Sequence, residues 1–128
     1  MIDVVAAVIR GEGGLILLAQ RGPEGHHPLL WEFPGGKIEE GETEEAALVR
    51  EIREELATHV VVGGRFHVVE HDYPHVSIRL IAYHCRVIGG PPTAVHCRDF
   101  RWVNPSELLS YPMPEADIPI ARKLVNMA

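Results

Sequence analysis

Apolar and polar positions alternate between two periods along the chain, and the periods predict the elements. Ile2 to Ile9 is a nearly unbroken apolar run rich in β-branched residues, which predicts a buried strand. Gly11-Glu12-Gly13-Gly14 predicts a turn, and Leu15 to Ala19 the returning strand. Residues 22–36 carry Pro23, Gly25, Pro28, Pro34, Gly35 and Gly36 and predict a long loop, with Trp31 and Phe33 to dock it. The period then changes. Thr43 is an N-cap residue, Glu44 and Glu45 suit the positive end of a helix dipole, and Ala46, Leu48, Val49, Ile52 and Leu56 give an apolar stripe, so a helix is expected from Thr43 to about Ala57.

Strand patterns return at Val60 to Val62, Phe66 to Glu70, Val76 to Val87 and Phe100 to Val103, with Gly63-Gly64 between the first two. Pro105 opens a short helix, and a last helix is expected from Asp117 or Ile118 to Met127. The mixture without strict alternation predicts an α+β or α/β/α architecture. With 128 residues and no linker or repeat, residues 1–128 are expected to form one domain. No apolar run reaches membrane-spanning length and the N-terminus lacks a basic flank, so a cytoplasmic protein is expected, with Cys85 and Cys97 reduced.

Charge sharpens the picture. Between Glu39 and Glu55 stand eight glutamates and two arginines, a net −6 that equals the net charge of the whole chain. The remainder is neutral, which argues against binding a nucleic-acid polymer. At 100° per residue, Glu51, Glu54 and Glu55 fall within an arc of about 100°. They either form a solvated acidic face, with Arg50 and Arg53 offsetting the repulsion, or hold a hard divalent cation. His84-Cys85 and His96-Cys97 do not make a zinc site, because neighbours on a strand face opposite ways.

The stretch from Gly36 through Glu42 to Arg50-Glu51-Ile52-Arg53-Glu54-Glu55 resembles the Nudix box, G-x5-E-x7-R-E-U-x-E-E-x-G-U with U apolar. Seven specified positions match, for which chance is on the order of 10⁻⁸ at one start. Ala57 and Thr58 depart from the final glycine and apolar residue. Ala19-Gln20-Arg21, Trp31-Glu32-Phe33-Pro34-Gly35-Gly36 and Asp117-Ile118-Pro119-Ile120 extend the likeness to the triphosphate branch of the family, which includes 8-oxo-dGTP and CTP pyrophosphohydrolases.

The resemblance implies an α/β/α sandwich with a mixed sheet. It implies hydrolysis of 8-oxo-dGTP, CTP or a modified dCTP to monophosphate and pyrophosphate, using Mg²⁺ or Mn²⁺. It gives Glu51, Glu54, Glu55 and the Gly35 carbonyl as metal ligands, Arg50 as the brace of the glutamates, and one glutamate as candidate base. Arg21, Phe33, Tyr73 and Asp117 are the candidate substrate contacts. Where many relatives carry a loop glutamate six residues before the tryptophan, this chain has His96, a further candidate base. Asp stands at 117 where mutator-type members tend to carry Asn. The alternatives are a silent nucleotide-binding sensor, or a hydrolase of ADP-ribose or dinucleoside polyphosphates. The expected partner is a nucleotide, and the expected assembly a monomer or homodimer.

Overall fold

The computed structural model describes residues 1–128 as two sheets and two α-helices. The strands are β1 (Ile2–Ile9), β2 (Ile16–Gln20), β3 (Trp31–Glu32), β4 (Gly35–Lys37), β5 (Val60–Asp72), β6 (Ser77–Val87) and β7 (Asp99–Val103). The helices are α1 (Glu44–Leu56) and α2 (Ile118–Met127). Short 3-10 turns cover Glu12–Gly14, Pro105–Ser110 and Glu115–Asp117.

The larger sheet has the order β4-β1-β6-β5 and is mixed: β1 runs parallel to β6, while β4 and β5 are antiparallel to their neighbours. β2 does not join it. It forms a second, antiparallel sheet in the order β3-β2-β7, beside the mixed sheet that the resemblance implies.

Period-two burial makes β1 the wall between two cores. Val5, Ala7 and Ile9 face α1, whose Ala47, Leu48, Ile52 and Leu56 are fully buried. Ala6 and Val8 face the opposite way, toward Ile120, Ala121 and Leu124 of α2. The α/β/α sandwich follows from that alternation.

Several expectations shift. The buried stripe of α1 contains Ala47, and Ala46 is exposed. The strand expected at Leu15 begins at Ile16. Residues 22–36 hold the short strands β3 and β4, which tertiary pairing stabilises despite their length. The two stretches around Gly63-Gly64 are one strand, with register shifts between Val62 and His67 that absorb the glycines as bulges. Both cysteines are free thiols. No helix is long and apolar enough to cross a membrane.

Candidate active site

α1 begins where Thr43 Oγ1 accepts the Ala46 N–H at 3.1 Å. It ends at Ala57, a left-handed residue at φ 50° whose N–H donates to the Arg53 carbonyl at 3.0 Å. The departure from glycine at this position therefore keeps the helix exit and adds backbone strain.

Arg50 organises the acidic segment. Its Nε and Nη2 form a fork on the Glu42 carboxylate at 2.7 and 3.0 Å. Nη1 reaches Glu51 at 2.9 Å and Glu54 at 3.3 Å, and Nη2 also donates to the Lys37 carbonyl at 3.0 Å. Glu42 in turn accepts the Glu39 N–H at 2.9 Å. One guanidinium thus ties the loop after β4 to two glutamates of the helix. With the side chains in these positions, no three of the acidic, histidine or cysteine groups converge tightly enough to ligate one ion. Arg50 draws Glu51 and Glu54 to itself, and Glu55 lies apart.

Glu55 is the most perturbed carboxylate of the three. Burial first, then repulsion from Glu32 and Glu51, pushes its pKa up to about 8, against the pull of the Gly35 N–H and Arg21. Burial likewise raises Glu51, opposed by Arg50. Glu51 and Glu55, both raised by burial and by repulsion from neighbouring carboxylates, are hard oxygen donors that a divalent cation would relieve, so the residues present fit such a metal. Gly35 and Gly36 make the approach possible. A side-chain carbon on Gly36 would collide with the Glu51 carboxylate, and one on Gly35 with the Val5 carbonyl across the sheet.

Glu55 lines a pocket of about 200 Å³ together with Glu32, Gly35, Arg21, His96 and Cys97. His96 is brought there by the helix end itself. The N–H groups of Val95 and His96 donate to the Glu55 carbonyl at 3.0 and 3.2 Å, and Thr93 N–H to Leu56 at 2.8 Å, so the 93–96 segment caps α1.

A cleft of about 600 Å³ adjoins this pocket and shares Arg21, Glu32 and Gly35 with it. Asp117 sits in its wall, 6% exposed, and accepts the Phe33 N–H at 3.1 Å. Its carboxyl makes no cap bond to α2, and burial, aided by Glu32, raises its pKa well above the ordinary value. Tyr73 lies half-buried in the wall, its hydroxyl accepting the Ala116 N–H at 2.8 Å. Arg21 pairs with Glu32 at 3.1 Å and donates to the His26 carbonyl at 3.0 Å.

Phe33 needs correction. It borders the cleft but is only 3% exposed, and its ring belongs to the α2-side core, so it cannot offer a face to a stacked base in this conformation. Two features went unassigned from sequence. Glu32, between two buried aromatics, joins both pockets, and a carboxylate in that setting was itself a signal. The imidazoles of His26, His27 and His75 cluster at the cleft mouth, which only the fold reveals.

Residues 4–123 match the NUDIX domain family, and the chain belongs to it. It is 42% identical over 120 residues to the CTP pyrophosphohydrolase of Escherichia coli, covering 94% of this chain and 88% of that protein. It is 31% identical over 126 residues to the E. coli 8-oxo-dGTP diphosphatase, covering 98% of each. The solution structure of the E. coli ORF135 protein superposes with a TM-score of 0.85 at 40% identity, covering 99% of this chain and 90% of that one.

Proposed function

We propose that this chain hydrolyses a nucleoside triphosphate to monophosphate and pyrophosphate, with Mg²⁺ or Mn²⁺ held by Glu51, Glu54, Glu55 and the Gly35 carbonyl. The observation that carries the reading is the joining of two pockets through Arg21, Glu32 and Gly35: a small one rich in carboxylates, and a nucleoside-sized one walled by Asp117. When bound, the divalent ion offsets the charge of the anhydride and acidifies the attacking water. Arg50 keeps Glu51 and Glu54 in register with the Gly35-Gly36 backbone. Arg21 offers its guanidinium at the junction, where an α-phosphate would lie. His96, on the rim beside Glu55, accepts the proton of the attacking water at an imidazole nitrogen.

Asp117 selects the base. Burial raises the Asp117 carboxyl, and its oxygens accept hydrogen bonds, which suits an exocyclic amine such as N4 of cytosine. Cytosine nucleotides are therefore the proposed substrates, with 8-oxo-dGTP as competitor.

The test is product analysis on CTP, dCTP, 5-hydroxy-dCTP, 8-oxo-dGTP, ADP-ribose and a dinucleoside polyphosphate, with and without Mg²⁺. Metal-dependent release of pyrophosphate, greatest from a cytosine nucleotide, is expected. Release of orthophosphate, or binding without turnover, overturns the reading.

A further inference from the structure

Two segments distant in sequence meet across the mouth of the larger cleft. One is the loop of residues 22–30 between β2 and β3, and the other the turn of residues 73–76 between β5 and β6. Their contact is aromatic. The imidazoles of His26 and His75 stack with centroids 3.7 Å apart and planes 4° from parallel. His27 leans on Tyr73 at 4.7 Å and lies 6.1 Å from His75. His26 and His75 are both exposed, and both line the cleft.

The two sides differ in how firmly they are held. The turn is fixed: Tyr73 and Val76 exchange backbone hydrogen bonds at 2.9 and 3.3 Å, and the Tyr73 hydroxyl is anchored at Ala116. The loop is strained: His27 and Leu29, neither of them glycine, stand in the left-handed region at φ 56° and 62°. Within it Leu29 N–H bonds the Gly22 carbonyl at 3.0 Å and Leu30 N–H the His27 carbonyl at 3.3 Å, while Gln20 and Arg21 tie the Leu29, Leu30 and His26 carbonyls to the end of β2. A strained loop rests on a rigid turn through a stack of imidazoles.

Charged groups of both signs surround the stack. Arg21 faces it from the end of β2, with Glu32 of β3 committed to Arg21. His71 of β5 takes Glu115 at 2.9 Å. Glu24 of the loop, Asp72 at the end of β5 and Asp117 near α2 are the other acids about the cluster, and no carboxylate forms an ion pair with His26, His27 or His75. Burial, then Arg21, then the imidazoles of His75 and His26 hold His27 below the ordinary histidine value, against Glu115. Two imidazolium rings stacked face to face repel, so acid favours separation.

We propose that the His26–His75 stack is a proton-sensitive clasp that holds the 22–30 loop closed over the nucleotide cleft when neutral and releases it when protonated. The clasp is a property of the chain itself and its test needs no turnover. Residue-resolved hydrogen exchange at the Leu29 and Leu30 amides, corrected for the intrinsic rate, reads the loop directly. On going from about pH 7.5 to about pH 5.5, protection in the wild-type chain is expected to fall about tenfold. In His26→Phe/His75→Phe, whose rings stack but take no proton, protection persists at both pH values. In His75→Ala it is low at both. Wild-type protection that ignores pH overturns the proposal, as does His75→Ala protection equal to wild type at the higher pH. If a thermal melt shows that His75→Ala unfolds globally, the comparison of wild type with the double phenylalanine variant decides alone.

Discussion

The buried carboxyl of Asp117 accepts the backbone N–H of Phe33 at 3.1 Å, a bond between residues 84 apart in sequence. It fixes the segment carrying Glu32 and Gly35 against the start of α2, so Asp117 has a structural duty beside the recognition duty proposed for it. Asp117→Asn separates them. An amide oxygen still accepts the Phe33 N–H, so the melting temperature should stay within about 2–4 °C of wild type. The amide offers a base a different donor and acceptor pattern. KM for the preferred nucleotide should rise roughly ten- to a hundredfold, as expected for a mismatched buried polar contact of about 1–3 kcal/mol, and base preference should flatten. Reduced stability with unchanged base preference would sink the recognition role.

Glu54→Gln and Glu55→Gln should each remove most turnover at saturating Mg²⁺ while circular dichroism shows a folded chain. Wild-type activity in either would remove that residue from the metal site. Glu55 adds a test without metal. Its folded pKa is raised from 4.5 to about 8, so folding takes up a proton across that window. The stability owed to this group falls as pH rises through it. In the metal-free protein, Glu55→Gln should therefore stabilise at about pH 8, by about 1–4 kcal/mol, and do little near pH 4. Melting curves at both pH values read the difference, and a destabilised variant at the higher pH contradicts the assigned burial.

His96→Gln should lower kcat about 10²-fold with KM little changed, the usual loss when a general base is removed. Because the backbone of His96, not its side chain, caps α1, the melting temperature should hold. Near-normal kcat would return the role to a glutamate.

Much of the acidic site was legible because the box spacing converts directly into helix geometry. Thr43 as N-cap and a helix end near Ala57 follow from residues within one turn of each other, and the resemblance supplied Arg50 as the brace of Glu51 and Glu54, while its fork on Glu42 came only with the structure. What stayed hidden depends on pairing between strands. β3 has two residues, too few to show a period, and exists because Ala19 pairs with Glu32 and Gln20 with Trp31. Only that register sets Glu32 beside Arg21 and shows the acid to be part of both pockets. Phe33 misleads for a related reason: an aromatic in a Pro- and Gly-rich loop reads as a ligand contact, yet the loop docks and buries it.

Ala57→Gly should stabilise the protein. Ala57 occupies the left-handed region at φ 50° as the C-cap of α1, a conformation that costs a residue with a Cβ about 1–2 kcal/mol and glycine almost nothing. Part of the gain is returned through the more flexible unfolded chain, leaving about 0.5–1 kcal/mol, or a few degrees in Tm. A lower Tm would mean that the alanine methyl has packing its exposure does not suggest.

β1 has one further consequence. Its odd and even residues belong to different cores, so neither helix can bury its apolar stripe until the same strand is in place between β4 and β6. The two halves of the molecule share a party wall, and removing it exposes both interiors at once. Cooperativity is therefore built into an eight-residue segment, Ile2–Ile9, near the start of the chain. During synthesis that segment precedes its partner β6 by some seventy residues, and with only the short β4 to pair with it stays largely open until β6 arrives.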